Sequence, residues 1–247
     1  GGEPIHLTSV ETTLLKALAE RAGTVLSREE LIAATGAEAG FVAACAASGI
    51  SVSCAASMTG DDLDAIERLT AEGAKLNARD GRKRTPLMVA AHLNQYAAAR
   101  ALIAAGANVD AFDADRYDVI TIAAVADDPE MLRIAIAGGA NTSLVTSVYD
   151  GTALIAAAHL GHDEVVRTLI EHDAPLDRIN NLDWTALIEA IVLGDGGPRH
   201  VATVKALVDA GANVDIADGR GVRPLSLARQ RGYTEIIDIL EAAGAKP

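Results

Sequence analysis

Apolar residues along most of the chain fall in short runs with helical spacing, separated by turn-forming residues. The segment 163–171 shows the pattern plainly: Val165, Val166, Leu169 and Ile170 are apolar, while Glu164, Arg167 and Glu171 fall on the opposite side. Such a stripe predicts an amphipathic helix with one face in a core. A second kind of run precedes helices of this type. Thr85-Pro86-Leu87-Met88-Val89-Ala90-Ala91 recurs in altered form as Asp118-Val119-Ile120-Thr121-Ile122-Ala123-Ala124 and as Thr152-Ala153-Leu154-Ile155-Ala156-Ala157-Ala158. It returns as Thr185-Ala186-Leu187-Ile188-Glu189-Ala190 and Arg223-Pro224-Leu225-Ser226-Leu227-Ala228. The first positions of these runs step by 33, 34, 33 and 38 residues. A second marker, similar to Gly-Ala-Asn-Val-Asp, occupies 106–110, 139–143, 173–177 and 211–215, with a fainter copy at 73–77 and a stump at Gly244-Ala245. It comes 21 residues after the first marker in four repeats and 26 after it in the one starting at Thr185, so that repeat alone carries a five-residue insertion.

The residue types fit pairs of short helices. Proline near the first helical position loses no hydrogen bond, because that N–H has no partner in the helix. The Ala-Ala pair lets neighbouring repeats approach closely. Gly106 and Gly211 suit the left-handed position that ends a helix, and Asp or Asn then shapes the turn to the next repeat. With two independent markers in phase, the chain resembles the ankyrin repeat, whose period is 33 and whose signature is T-P-L-H-x-A. The resemblance covers roughly residues 50–247 and implies an all-α solenoid of paired antiparallel helices joined by short hairpin-like turns, preceded by a small helical N-terminal region. Five repeats start near Asp80, Asp113, Ser147, Asn180 and Asp218. A degenerate repeat at 50–79 precedes them, with helices expected over 52–59 and 62–72. Met88, Thr121, Ile155, Ile188 and Ser226 stand where the family usually has His, so weaker loop-stapling hydrogen bonds are expected. The last helix, expected over 234–243, carries Glu235, Asp238 and Glu241 on its outer side, as a terminal cap needs.

Residues 1–49 stand apart. Thr8-Ser9-Val10-Glu11 and Ser27-Arg28-Glu29-Glu30 are capping boxes, each predicting a helix start. The string from Leu7 to Leu31 resembles the opening two helices of the winged helix-turn-helix domain of bacterial response regulators. A recognition helix would come next over 37–48, yet that segment holds no Lys, Arg, Asn or Gln. Residues 1–50 carry three basic side chains (Lys16, Arg21, Arg28) and six acidic ones, the wrong balance for neutralising phosphates. The expectation is a helical cap or partner-binding arm. The alternative is a transcription regulator, with this region on DNA and the repeats as a sensor.

Composition narrows the function. Half of the residues are apolar but only 3% are aromatic, so the core is built from Ala, Leu, Ile and Val. A mean hydropathy of +0.21 with 22% charged residues argues against a disordered chain. The net charge of −13 disfavours nucleic acid and anionic membranes as partners and favours a protein with a basic surface. No stretch reads as a membrane span; the most apolar one, 37–59, is rich in Ala, Gly and Ser. Cys45 and Cys54 cannot frame a disulfide scaffold or a zinc site. Val42-Ala43-Ala44-Cys45 looks like a lipoprotein cleavage box, but Glu29, Glu30 and Glu38 precede it and a basic start is lacking. The expected compartment is the cytoplasm, or the periplasm if a signal peptide was removed ahead of Gly1.

No nucleophile, base and orienting group fall into a catalytic pattern, so neither enzyme activity nor a cofactor is expected. His159, His162, Asp163 and His172 form a close set of potential ligands, read as surface or capping residues rather than a metal site. Gly194-Asp195-Gly196-Gly197, inside the insertion, lacks the Gly-Lys-Ser/Thr ending of a phosphate loop and reads as a flexible connection. The ankyrin resemblance implies a protein partner held by the turn tips and the exposed ends of the first helices. Those positions are Arg82, Arg84, His92 and Leu93 in the first clear repeat, then Asp115 and Tyr117, then Tyr149, His159 and Leu160. Leu182, Trp184 and Val192 come next, and Arg220 and Gln230 close the series. Three of the seven aromatic residues, Tyr117, Tyr149 and Trp184, fall at tips, where they predict a contact strip. The oligomeric state is left open.

Overall fold

The computed structural model describes Leu63, Ile66, Thr70, Ala71 and residues 73–247. Both capping boxes, both cysteines and the helix expected over 52–59 lie outside the described residues. The chain divides into two compact units: one holds Thr85–Ala107 with the residues up to Gly81, the other Arg82–Arg84 with Asn108–Pro247.

In the first unit, α1 (Pro86–His92) packs against α2 (Tyr96–Ala104). Thr85 starts α1: its hydroxyl accepts from the Met88 N–H at 3.3 Å, and Met88 Sδ accepts from the Thr85 N–H at 3.3 Å. This is a capping box closed by a thioether, with Pro86 at the first helical position. Gly106, at φ +95°, takes the left-handed turn beyond α2.

The second unit contains four helix pairs. They are α3 (Val119–Val125) with α4 (Pro129–Ala137), α5 (Ala153–Leu160) with α6 (Asp163–Glu171), α7 (Ala186–Val192) with α8 (Pro198–Asp209), and α9 (Pro224–Arg231) with α10 (Thr234–Ala242). The first helices α3, α5, α7 and α9 pack in one row, and α4, α6, α8 and α10 in another. Ala124, Ala158, Ala190 and Ala228 are fully buried, with Leu154, Leu169, Leu187 and Leu207 filling the space between rows. Small side chains at the contacts and branched aliphatics between them give close packing without aromatic bulk. Among the described residues there is no strand, only the lone bridge Thr146–Gly151.

Three of the turn tips share one device. Asp113 Oδ1 accepts from the N–H groups of Asp115 and Tyr117, and Asn180 Oδ1 from those of Leu182 and Trp184. Asp218 Oδ1 accepts from Arg220 and Val222 in the same way. One carboxylate or amide oxygen thus folds five residues into a tip. Successive tips are joined edge to edge, Ala114 N–H to the Arg82 carbonyl, Ser147 to Arg116 and Asn181 to Tyr149.

Two expectations change. The family's missing histidines do not leave every loop unstapled, because Thr121 Oγ1 donates at 3.0 Å to Thr146 Oγ1, just ahead of the next repeat. The insertion is not a flexible connection either. It lengthens α8 to 12 residues, against nine in α4, α6 and α10, and its loop is tied down. Tyr233 donates its hydroxyl to the Gly194 carbonyl at 2.7 Å, and the Gly197 N–H donates to Asp195 Oδ1 at 2.8 Å. His200 sits between Asp195 Oδ1, at 2.8 Å, and the His159 carbonyl, at 3.1 Å. Gly196, at φ +70°, lies under the Tyr233 ring, where a Cβ would collide with it. The last helix ends at Ala242, and Glu235, Asp238 and Glu241 face solvent as expected.

Candidate functional site

Exposed apolar side chains in the second unit gather where the repeat places its tips and the C-terminal ends of its first helices. Val148, Tyr149 and Leu182 stand at tips, 63, 55 and 43% exposed, and Val125, Leu160 and Leu193 at helix ends. Leu93 holds the corresponding helix-end position in the first unit. Single exposed apolar residues carry no message, but recurrence at the tips and at the first-helix ends makes these positions a candidate surface.

Four of the sequence-expected residues come together in a pocket of about 240 Å³: Tyr117, Tyr149, His159 and Leu160, joined by Val125 and Ile155. The Asp113 turn fixes the Tyr117 backbone, and burial, then the carboxylates of Asp115 and Asp113, push its phenol pKa up, so it remains a neutral donor. Tyr149 is held by its N–H bond to Ser147 Oγ at 3.2 Å.

Glu189 and Asn180 also line this pocket and were not anticipated as site residues. Glu189 is 4% exposed. Its Oε1 accepts from Asn180 Nδ2 at 2.8 Å, and Oε2 is buried with no hydrogen-bond partner among the described residues. His159 Nδ1 stands 3.3 Å from Oε2, near enough for attraction between charges but not aligned for a hydrogen bond. Burial raises the Glu189 carboxyl, with the Asn180 bond pulling partly back. Burial, and then His200, lower the His159 pKa, so this neighbour is neutral at neutral pH and leaves the carboxylate uncompensated.

Trp184, Val192, Arg220 and Gln230 meet in a second pocket, of about 350 Å³, with Leu227 and Arg231. The Arg231 guanidinium donates to the Val192 carbonyl, and Arg220 chelates Asp218 Oδ2 through Nε and an Nη at 3.0 and 2.8 Å. Burial alone would raise the Asp218 carboxyl; the Val222 and Arg220 N–H bonds and the Arg220 guanidinium outweigh it and hold it low. Asp115 and Leu182 project from tips outside both pockets, as does the solvent-facing Arg82 beside the half-buried Arg84. His92 and Leu93 are exposed at the end of α1 in the first unit.

The histidine set does not converge. His162 Nδ1 donates to the Ala124 carbonyl and His172 Nδ1 to the Thr168 carbonyl, both at 2.8 Å. Asp163 pairs with Arg167 and Arg199. Among the described residues no group of three or more His, Cys, Asp or Glu could hold a metal ion. No helix among them is long and apolar enough to cross a membrane.

The ankyrin-repeat family model matches residues 52–144 and 120–218. The chain belongs to the ankyrin-repeat family. The ankyrin repeat protein YahD of Escherichia coli K12 is 36% identical over 185 residues, covering 74% of this chain and 92% of that protein. The solved ankyrin repeat domain from Acinetobacter baumannii superposes with a TM-score of 0.74 at 42% identity, over 79% of this chain and 98% of that one. A chain from the complex of a predatory endopeptidase of Bdellovibrio bacteriovorus with its immunity protein matches at TM-score 0.64 and 20% identity, over 78% of this chain and 97% of that one, which shows a shared fold. Residues 2–44 match a second family, the C-terminal part of transcriptional regulatory proteins, in agreement with the resemblance at 7–31.

Proposed function

We propose that this ankyrin-repeat protein is a non-enzymatic interaction module that receives a partner protein across its turn tips and the C-terminal ends of its first helices. The observation that carries the reading is the recurrence of exposed apolar side chains at those positions, from Val125 and Tyr149 to Leu182 and Leu193. Tips held by side-chain-to-backbone hydrogen bonds are ordered before a partner arrives, so little conformational entropy is lost on binding. Such a surface suits a scaffold, an enzyme stabiliser or a toxin inhibitor, and the net charge of −13 favours a basic partner over nucleic acid. The cytoplasm is the proposed compartment.

The test is capture from nuclease-treated lysate of the source cells by wild type and by a Tyr117→Ala, Tyr149→Ala, Trp184→Ala triple variant, after circular dichroism shows both folded. A protein retained only by wild type is the expected result. Equal retention by both would move the site off the tips. A second reading, prompted by the resemblance at residues 2–44, is a DNA-binding regulator with a repeat sensor. It requires DNA affinity that falls steeply with salt, which the acidic surplus of residues 1–50 opposes.

A further inference from the structure

We propose that the pocket formed by Tyr117 and Tyr149 takes one lysine or arginine side chain of the partner, with its cationic head at Glu189 Oε2 and its aliphatic stem along the tyrosine rings, Val125 and Leu160. This rests on the interaction reading above and supplies the chemistry of its central contact.

Glu189 carries the inference. Folded chains pair nearly all their buried polar atoms, and a buried carboxylate oxygen without a donor is costly. Here one oxygen is served by Asn180, and the other has no hydrogen-bond partner among the described residues, only His159 Nδ1 at 3.3 Å. The fold does not require an acid at this position. Glu189 is the fifth residue of its repeat marker, where Ile122, Ala156 and Leu227 supply apolar groups. An apolar residue there would pack without desolvating a charge.

The surroundings specify the missing donor. The titratable groups lining the pocket beside Glu189 are His159, Tyr117 and Tyr149; His159, the one placed at Oε2, has a lowered pKa and is neutral at neutral pH, and a tyrosine carries no positive charge. A positive charge brought to Oε2 would stabilise the ionised carboxylate, which burial disfavours. A small inorganic cation is a poorer match, because Glu189 is the one carboxylate in a wall that also presents Tyr117, Tyr149, Val125, Ile155 and Leu160. A long side chain with an apolar stem and a cationic head matches both parts, and tyrosine faces attract such heads. The half-exposed His159 ring lies over Oε2 and must turn aside for the head to reach it.

The test uses N-acetyl-arginine N-methylamide and N-acetyl-lysine N-methylamide as probes, with the norleucine analogue as the uncharged control. Binding is tracked through the aromatic resonances of Tyr117 and Tyr149 in the full chain. Saturable shifts with a cationic probe but not with norleucine are expected, weakened about tenfold or more in Glu189→Gln, which keeps the shape and the Asn180 contact. Norleucine binding as well as the cations, or indifference to Glu189→Gln, would overturn the proposal and leave an apolar pocket. So would the absence of any saturable shift up to about 100 mM, where even very weak sites fill. The titration needs no partner, so its failure leaves the capture result standing, and failure of capture leaves the titration readable.

Discussion

At the scale of single residues, Glu189 opposes the fold it sits in. Replacing its unpartnered oxygen by an amide in Glu189→Gln removes a buried charge at little change in shape. The substitution is expected to raise stability at pH 7 by about 1 kcal/mol, read by urea denaturation. The pH dependence has a definite sign. Burial raises the folded-state pKa of Glu189, so the native chain still holds a proton that the unfolded chain has released. Its contribution to stability is therefore lost as pH rises through and just above the ordinary carboxylate range, and Glu189→Gln should abolish that part of the profile. Buried Asp118, also raised, has the same sign, whereas Asp163 and Asp218, held low, lose their contribution as pH falls. A second residue departs from its repeat: Asp173, at φ +60°, occupies the left-handed turn that Gly106, Gly139, Gly211 and Gly244 take elsewhere. Asp173→Gly should stabilise the chain by about 0.5 kcal/mol, a modest rise in thermal midpoint. Both departures are visible once the repeats are aligned. Burial of Glu189 in a pocket shared with two tyrosines is not, because a lone acid in an otherwise apolar run gives no sign of what surrounds it.

At the scale of elements, the helix starts were legible and the insertion was not. Thr85, Thr152, Thr185 and Asp118 each accept from the third residue of the helix they open, as their chemistry and place in the marker imply. The five extra residues near 195 read as a loop because glycines crowd together there. Three of them instead extend α8, which carries Arg199 to Asp127 at 2.8 Å and to Asp163 at 3.5 Å. Partners 72 and 36 residues away leave no local pattern in a sequence. The remaining loop depends on Tyr233 closing over Gly196. Gly196→Ala is expected to destabilise by about 2 kcal/mol, from left-handed strain and the clash with the Tyr233 ring together, and chemical denaturation would measure it. A cost near zero would mean that the loop does not hold its place.

At the scale of the whole molecule, the repeat period made the architecture readable, because each repeat states the same packing solution again in Ala, Leu, Ile and Val. The proposed binding face was readable only as far as the repeat fixes positions. Tyr117, Tyr149, His159 and Leu160 meet in one pocket and Trp184, Val192, Arg220 and Gln230 in another, whereas tip residues such as Asp115 and Leu182 lie outside both. A partner's identity is written in the partner's surface as much as in this one, so it left no mark on the chain. The proposed function stands or falls on whether tips and first-helix ends, rather than the second-helix face, meet a protein. Site-specific photo-crosslinking in the source cells tests this directly, with the reactive group placed at Val148 or Leu182 on the tips and at Glu164 or Lys205 on α6 and α8. Protein adducts are expected from the two tip positions and none from the two helix positions. Adducts from Glu164 or Lys205 with silent tips would contradict the proposed binding face.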